Sequence, residues 1–371
     1  MDYKLNVGFL WLETPGYLIN CLANLSQNVE RVVLLYTNGN LPEDVIETNS
    51  SLLEVKKLIL IDATEMTTEE VHKVLALNEV RALIVCGWHY KKWMSVAHRY
   101  SGIKILTFDN QWKGSIRQLF GMLYGKFVLS QIFDGAFVPG SRSKIFAEKI
   151  GFSNSHVVEG LYVGNKSLFT PGTSEVKRDF LFSGRLVVEK NIQSLLDGYK
   201  TYREQVIDPW NLKIAGQGPL EAILSNYEGV NYVGQLSQTK LSIEMRNARF
   251  LVLPSLSEAW GVVVQESVLS GTPVICSANC GSADYFVHDN KSGFILKSLD
   301  SKSISESFIK AHHQQTQDYI SMCELSVELA NQFTLETWTK SLLELIKMNL
   351  TKKVASSFKH ANEPFNKMFL T

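Results

Sequence analysis

The sequence predicts an α/β protein built from two Rossmann-like, doubly wound parallel-sheet domains that face each other across a cleft. Short runs rich in Val, Ile and Leu alternate with segments of helical periodicity, which is the pattern of βαβ units. The runs are apolar at nearly every position, as expected for strands that helices cover on both faces. A chain of 371 residues is also too long for one ordinary hydrophobic core, so two domains are expected.

The amino half, residues 1–168, forms the first predicted domain. Ligands of doubly wound sheets bind beyond the carboxyl ends of the strands. Three turns that follow strands are therefore candidate binding segments: 13–16, 87–90 and 107–110. Ordinary turns and helix caps without a binding role would have the same kinds of residues. Strands are predicted at residues 5–10, 31–36, 57–61, 82–86, 103–108 and 135–138, and helices at 69–77 and 90–99.

Residues 111–133 combine large apolar side chains with the basic residues Lys113, Arg117 and Lys126. The apolar residues recur at helical spacing, with Ile116, Leu119, Leu123, Phe127 and Ser130 on one stripe that is widened by Phe120, Met122, Tyr124 and Leu129. We expect this stripe to be a core face beneath neighbouring helices. Contact with a membrane surface or a lipid-linked acceptor, or a subunit interface, are the alternatives.

The second predicted domain, residues 169–347, follows a linker rich in Pro, Gly and Thr at 169–176. Its first strand leads into a turn with Gly184, which lets a ligand approach the backbone, and with two cations, Arg185 and Lys190. A helix expected from Asn191 adds amide donors, and together these groups suit a diphosphate. Further strands are predicted at 212–215, 230–233, 250–253 and 274–276, and helices at 262–270 and from 334.

The rest of the chain is organised around residues 249–271. A buried strand is followed by a polar turn that carries Glu258, and then by a helix that carries Glu266. Amides of the first helical turn can donate to a polyhydroxy or anionic ligand, and Glu258 extends into the same space. Glu266 has apolar helical neighbours, so its carboxylate needs donors, which a sugar diol provides. A helix cap and a solvated acid are the simpler alternative.

These motifs resemble the donor-site signature of retaining family-4 glycosyltransferases of the GT-B fold. Two glutamates, with seven residues between them, stand between an apolar strand and the Gly-Thr-Pro-Val turn at 271–274, and Gly-Arg at 184–185 precedes Glu-Lys-Asn at 189–191. The resemblance is close from Asp179 to Leu296 and holds only in outline for the amino half. The turn at 281–284 reads Gly-Ser-Ala-Asp where the family has Gly-Gly-x-x-Glu, which is a departure.

The resemblance implies a metal-independent hexosyltransferase that uses a nucleotide-diphosphate sugar, with a UDP-sugar favoured over a GDP-sugar. The acceptor would be a glycan or a lipid-linked intermediate in bacterial surface polysaccharide or glycolipid assembly. No Asp-x-Asp motif is present, so neither a metal nor another cofactor is expected. Residues 348–371 would return to the first domain.

Roles carry over residue by residue. The implied catalytic residues are Arg185, Lys190 and Glu258. The implied donor-binding residues are Gly184, Gly216, Gly218, Val233, Ala259, Trp260, Gly261, Val262 and Glu266. On the acceptor or sugar side stand Pro15, Gly16, His89 and Asp109, where Asp109 replaces a histidine that is frequent in the family.

The amino-acid composition of the chain argues against several classes of partner and cofactor. Lysine plus arginine equals aspartate plus glutamate at 37 each, so no net field favours nucleic acid. Five cysteines without a Cys-x-x-Cys pair predict no structural metal. The amino terminus lacks the pattern of a signal peptide, and no apolar stretch suffices for a membrane span. We therefore expect a cytoplasmic protein, with peripheral contact at the inner face of the membrane and homo-oligomerisation left open.

Three other interpretations remain. A nucleotide-sugar epimerase or hydrolase of the same fold would hold the donor similarly. A nicotinamide dehydrogenase is disfavoured, because no Gly-x-Gly-x-x-Gly turn follows the first strand. A non-catalytic partner subunit would be favoured by lost phosphate ligands, yet Arg185 and Lys190 are both present.

Overall fold

Each half of the chain builds its own parallel β-sheet covered by helices, which confirms the predicted fold class of two doubly wound domains. The computed structural model describes residues 5–37, 57–172 and 178–366, with the backbone alone for Arg117 and residues 354–366. The chain divides into unit 1, Met1–Leu161 with Leu335–Thr371, and unit 2, Tyr162–Thr334. The boundaries predicted from the sequence lie after residues 168 and 347, further along the chain than those of the structure.

Within the described residues, unit 1 has seven parallel strands in the order β3-β2-β1-β4-β5-β6-β7. The short seventh strand was not predicted, since three residues carry no periodic signal. The bounds are β1 Asn6–Trp11, β2 Arg31–Tyr36, β3 Leu58–Asp62, β4 Ala82–Cys86, β5 Ile103–Thr107, β6 Gly135–Val138 and β7 Val157–Glu159.

Helices of unit 1 cover the sheet through apolar faces. The second helix begins with a reciprocal cap, in which the Thr67 hydroxyl accepts from the Glu70 N–H and the Glu70 carboxylate accepts from the Thr67 N–H. The bounds are α1 Gly16–Asn28, α2 Thr68–Leu77, α3 Lys91–Arg99, α4 Ile116–Tyr124, a π-helical segment Gly125–Leu129, α5 Ser130–Ile132, α6 Ser141–Lys149 and a 3₁₀ turn Asn154–His156.

Unit 2 has six parallel strands among its described residues, in the order β10-β9-β8-β11-β12-β13. The strand bounds are β8 Asp179–Ser183, β9 Asn211–Ala215, β10 Val230–Gly234, β11 Phe250–Leu253, β12 Val274–Ser277 and β13 Gly293–Leu296. The helix bounds are 3₁₀ Val188–Lys190, α7 Ile192–Gln205, 3₁₀ Glu221–Asn226, α8 Gln238–Asn247, α9 Val262–Leu269, α10 Ala283–Phe286, α11 Ser301–His312 and α12 Thr316–Ala330.

The last helix, α13 Leu335–Asn366, belongs to unit 1 from its first turns onward. Trp338 is buried, stacks on Phe9 with ring centroids 6.4 Å apart, and donates from Nε1 to the Leu161 carbonyl at 2.9 Å. The Thr339 hydroxyl donates to the Asn24 side-chain oxygen at 2.7 Å. The return of the chain to unit 1 therefore begins at residue 335, earlier than the predicted 348.

The proposed linker at 169–176 is described only in part, since residues 173–176 lie outside the described ranges. Its first residue, Phe169, is fully buried in the core of unit 2, and Pro171 contacts the position at which Gly271 would carry a Cβ. The start of this segment is thus part of the packed domain.

The predicted core face at residues 116–127 is wrong. Ile116, Phe120 and Phe127 are largely exposed in the structure. The stripe has helical spacing, as predicted, but it faces away from the core because the buried contacts of this segment are made by Gly125 and Leu129. None of the described helices combines the length and the hydropathy that a membrane crossing requires.

Candidate donor site in unit 2

The topology of unit 2 places four turns at one edge of its sheet. Strand β8 pairs with β9 on one side and with β11 on the other, so the strand order changes direction there. In doubly wound sheets such a switch point leaves a crevice beyond the carboxyl ends of the strands, where ligands bind. The turns that follow β8, β9, β11 and β12 meet at this edge and contain most of the predicted donor-site residues.

The first two turns are fastened to each other through the backbone. The Gly184 N–H donates to the Ala215 carbonyl at 3.0 Å, and the Leu186 N–H donates to the Gln217 carbonyl at 2.8 Å. Gly216 and Gly218 have φ of 138° and 156°, and a Cβ on either would overlap a carbonyl oxygen of the first turn. The Gly-x-Gly sequence therefore has a structural reason: only glycine permits this close approach.

The third turn, after β11, is held from both sides. The Leu256 N–H donates to the Glu189 carbonyl at 2.8 Å, which joins this turn to the first. Glu258 forms an isolated parallel β-bridge with Cys280, which joins it to the turn after β12. The backbone around Glu258 is consequently fixed before any ligand arrives.

Lys190 and Glu258, which the sequence assigned to diphosphate and sugar respectively, contact each other as an ion pair. Their side chains are only 14% and 15% exposed. The Ser255 hydroxyl donates to the same carboxylate at 3.4 Å. Arg185 is exposed, and its side chain has no hydrogen bond or ion pair among the described residues. The edge thus presents one open guanidinium beside one neutralised pair.

Glu266 lies on α9, within a helix that is almost entirely buried, and the residue is 7% exposed. Its carboxyl group makes no hydrogen bond or ion pair among the residues described. Burial among apolar groups raises the pKa of Glu266 from its ordinary value to about 7. A buried acid without a donor is unusual, and the arrangement suits a ligand that brings its own donors.

Gly261 and Trp260 form the entry to α9. Gly261 has φ of 86°, and a Cβ there would lie 2.9 Å from Cys280 Sγ and 3.1 Å from Glu258 Cγ. The Trp260 ring is buried against Tyr285 and Phe333, so a role in donor binding is left to its backbone. The neighbours on either side, Ala259 and Val262, are half-buried.

Tyr232 was not singled out from the sequence, and Ser255 was quoted only as part of the family signature, without a role. The Tyr232 hydroxyl donates to the Gly216 carbonyl at 3.0 Å, and Ser255 is fully buried beside Glu258. Val233, which was singled out, is the irregular residue at which the pairing of β10 with β9 shifts. A tyrosine in a strand carries no local signal of a role in the site, because only the fold brings it there.

The four residues predicted on the acceptor or sugar side lie in unit 1, after neighbouring strands. Pro15 accepts from the Leu18 N–H at 2.9 Å and precedes Gly16, the first residue of α1. His89 is exposed and lies against Trp88 with ring centroids 5.2 Å apart. The Asp109 carbonyl accepts from the Ser143 hydroxyl at 3.2 Å.

The thiol of Cys86, at the end of β4, is affected by charged residues of the turns after β1 and β5. Burial raises the pKa of Cys86 to about 12, with further increases from the negative charges of Asp109 and Glu13. The turns after β1 and β5 therefore bring carboxylates to the same edge of the unit 1 sheet. No group of three or more His, Cys, Asp or Glu able to hold a metal occurs in the described parts of either unit. Metal independence stays a prediction.

Comparison with known proteins shows that the sequence of unit 2 is similar to glycosyltransferases. Residues 166–327 match the family described as glycosyl transferases group 1. The chain is 31% identical over 122 residues to the uncharacterized glycosyltransferase YqgM of Bacillus subtilis, which is 31% of this chain and 34% of that protein. It is 30% identical over 115 residues to alpha-monoglucosyldiacylglycerol synthase of Streptococcus pneumoniae, which is 29% of this chain and 26% of the synthase. The matches thus span about a third or less of these relatives' lengths.

The fold extends the likeness to both units. Anabaena Alr3699/HepE, solved in complex with UDP and glucose, superposes with a TM-score of 0.73 at 14% identity, over 93% of this chain and 100% of that chain. Identity at this level bears on the fold alone. The chain therefore has the GT-B fold that is found in glycosyltransferases, and its residues 166–327 are similar to the family of glycosyl transferases group 1.

Proposed function

We propose that this protein is a retaining glycosyltransferase of family 4 that transfers a hexose from a nucleotide-diphosphate sugar, without a metal ion. The observation that carries the proposal is the contact between Lys190 and Glu258 at the switch point of the unit 2 sheet, beside the open side chain of Arg185. Charged donors for a diphosphate and a carboxylate for sugar hydroxyls thereby lie at the same edge of the unit 2 sheet. The similarity to a structure that holds UDP and glucose supports a UDP-hexose as the donor.

Arg185 and Lys190 stabilise the negative charge that grows on the leaving diphosphate. Arg185 offers a planar set of donors to two phosphate oxygens, and Lys190 adds a compact charge from beside Glu258. Loss of one such donor from a desolvated site costs about 2–4 kcal/mol of barrier, which is roughly 10²- to 10³-fold in rate.

Glu258 positions the transferred sugar by accepting hydrogen bonds from its hydroxyl groups. The β-bridge to Cys280 and the contact with Lys190 fix the direction of this carboxylate, so little reorganisation is needed when the sugar arrives. Amides at the entry to α9, around Gly261, donate to the sugar or to the phosphate.

Glu266 binds the two ribose hydroxyls of the nucleotide. A diol brings two O–H donors to a carboxylate that has none among the described residues, and these bonds favour the ionised form. Donor binding should therefore be tighter above pH 7 than below it, because the free site must lose a proton from Glu266 before the diol is bound.

The acceptor is a glycan or a lipid-linked intermediate of bacterial surface polysaccharide or glycolipid assembly. The similarity to alpha-monoglucosyldiacylglycerol synthase supports a lipid-linked acceptor. Retention would follow from attack on the face that the diphosphate leaves, with a phosphate oxygen taking the acceptor proton. The acceptor-side residues would be Pro15, Gly16, His89 and Asp109.

A screen of nucleotide sugars by thermal shift, followed by a transfer assay with the donor that stabilises the protein most, tests the proposal. Arg185→Ala should lower the transfer rate by roughly 10²- to 10³-fold. Arg178→Ala, which removes an exposed arginine of the same unit, is the matched control and should keep full activity. Full activity of Arg185→Ala would refute the donor-site assignment. Release of free nucleotide and sugar regardless of acceptor would instead identify a hydrolase.

Metal independence is tested in the same assay with a chelator of divalent ions. We expect transfer to persist, because the two cationic side chains occupy the role that a metal has elsewhere. Complete loss of transfer that added Mg²⁺ or Mn²⁺ restores would contradict this mechanism.

A further inference from the structure

One helix of unit 1 presents its apolar side to solvent. Six of the fourteen large hydrophobic residues that are exposed in the described part of the chain lie between residues 116 and 127. Their spacing of three and four residues forms one continuous stripe. We name this stripe the α4 face; it consists of Ile116 (74% exposed), Leu119 (45%), Phe120 (70%), Leu123 (51%), Tyr124 (45%) and Phe127 (70%).

The opposite side of the segment is packed and holds the α4 face outward. Gly125 and Leu129 are buried, and a Cβ on Gly125 would overlap the side chain of Ile150. Gly151 packs so closely against the segment that a Cβ added to it would lie 3.0 Å from the Lys126 Cα. The segment cannot rotate its apolar stripe into the core without breaking these contacts. The exposure of the α4 face is therefore built into the fold.

The segment that carries the α4 face has charges of one sign. Residues 110–133 contain no aspartate or glutamate, while they include Lys113, Arg117 and Lys126. Lys113 and Lys126 are exposed. The whole chain carries equal numbers of acidic and basic residues, so this segment departs from the average. Exposed aromatic and aliphatic side chains flanked by cations complement a surface with anionic headgroups over an apolar interior.

The same charges disfavour a second copy of the chain as the occupant. A two-fold symmetric contact through the α4 face would place equivalent surfaces against each other, and Lys113 and Lys126 of each copy would then approach like charges. Like charges that approach across a desolvating interface are repulsive. An anionic bilayer neutralises them instead.

We propose that the α4 face is a membrane-docking surface, which inserts its aromatic and aliphatic side chains into the interface of a bilayer rich in anionic lipids. Phe120 and Phe127 supply the most exposed aromatic rings, and Lys113 and Lys126 contact the headgroups. This proposal is independent of the donor site, since Arg185, Lys190 and Glu258 lie in the other unit.

Flotation with vesicles tests the proposal on the full-length protein. The wild type should float with phosphatidylcholine vesicles that contain phosphatidylglycerol, bind pure phosphatidylcholine vesicles weakly, and lose binding as salt increases. Phe120→Ser with Phe127→Ser should reduce partitioning at least about tenfold. Ile207→Ser, which removes a 94% exposed hydrophobic residue of unit 2, is the matched control and should leave partitioning unchanged.

Three results would overturn the proposal: no binding of the wild type to anionic vesicles, equal binding of the double variant and wild type, or a wild-type dimer that the double variant converts to a monomer. The last would assign the α4 face to self-association. Equal thermal transitions of wild type and double variant establish that both are folded. Arg185→Ala should bind vesicles as the wild type does, so a failure here is distinguishable from a failure of the donor site.

Discussion

At the scale of residues, the contact between Lys190 and Glu258 links stability to the candidate site. Both side chains are largely buried, so each charge depends on the other. Arg185 differs, since it is exposed and is held by no described side chain. Substitution of Lys190 should therefore lower the stability of the protein more than substitution of Arg185, although the two residues are only five positions apart in the sequence.

Lys190→Ala should lower the free energy of unfolding by about 1–3 kcal/mol, because Glu258 would keep a largely buried charge after losing its ion-pair partner. Urea denaturation measures this value. Arg178→Ala breaks an ion pair whose side chains are 62% and 73% exposed, and it should cost no more than about 0.5 kcal/mol. Adding Glu258→Gln to Lys190→Ala should recover part of the loss. An unchanged midpoint for Lys190→Ala would contradict the buried pair.

Glu266 should make the stability of the protein depend on pH. Its pKa is raised to about 7 in the folded protein and returns to about 4.5 on unfolding, so the folded state retains a proton that the unfolded state releases. The stabilisation is complete below pH 4.5 and is lost as the pH rises to 7, on the order of 3 kcal/mol in total. Glu266→Gln should remove this slope when unfolding is measured across that window. A slope that persists in Glu266→Gln would assign it to other groups.

At the scale of elements, the donor site consists of turns that parallel strands deliver to one edge. Backbone hydrogen bonds join the turn after β8 to those after β9 and β11. The β-bridge of Glu258 with Cys280 adds the turn after β12. The geometry of each turn therefore depends on its neighbours, and glycine is needed where two of them touch.

Gly216→Ala should destabilise the protein by at least about 3 kcal/mol, because the added Cβ would overlap the Gly184 carbonyl in addition to the strain of φ at 138°. Gly234→Ala is the matched control: its φ is 70°, but nothing lies within 4 Å of the added Cβ, so only about 1 kcal/mol of backbone strain is expected. Chemical denaturation of both variants separates the two costs. Equal losses would show that overlap with the first turn is unimportant.

At the scale of the whole molecule, the chain completes unit 1 with its last helix after building all of unit 2. Trp338 of α13 packs against Phe9 of the first strand, which joins residues from opposite ends of the sequence. Unit 1 is consequently incomplete until residue 335 and beyond have been added. Each unit has its own core, so each is expected to have its own response to substitution and to ligand.

Trp338→Ala should lower the thermal transition of unit 1 by the equivalent of about 3–5 kcal/mol, since it removes a buried ring and a hydrogen bond to Leu161. Calorimetry with and without UDP distinguishes the units, because UDP should raise the transition of unit 2. Met348→Ala, at a partly exposed position of the same helix, is the control and should change little. A shift of the UDP-sensitive transition in Trp338→Ala would show that the two units unfold together.

The sequence by itself determined the alternation of strands and helices, because buried parallel strands and their connecting helices are local patterns. The bounds of β2, β4, β6 and β11 agree with the prediction, whereas the short strands β7 and β13 carried too little pattern to be found. It also determined which turns follow strands, and hence that Glu258 and Gly184 lie near the edge of a sheet.

Only the tertiary structure decided how those residues meet. The pairing of Lys190 with Glu258, the contact of Tyr232 with Gly216 and the burial of Glu266 depend on residues far apart in the chain. Tertiary packing also decided that the apolar stripe at residues 116–127 faces solvent. Helical periodicity defines an apolar side but does not state what that side faces, and the packing of Gly125 against Ile150 turned it toward solvent.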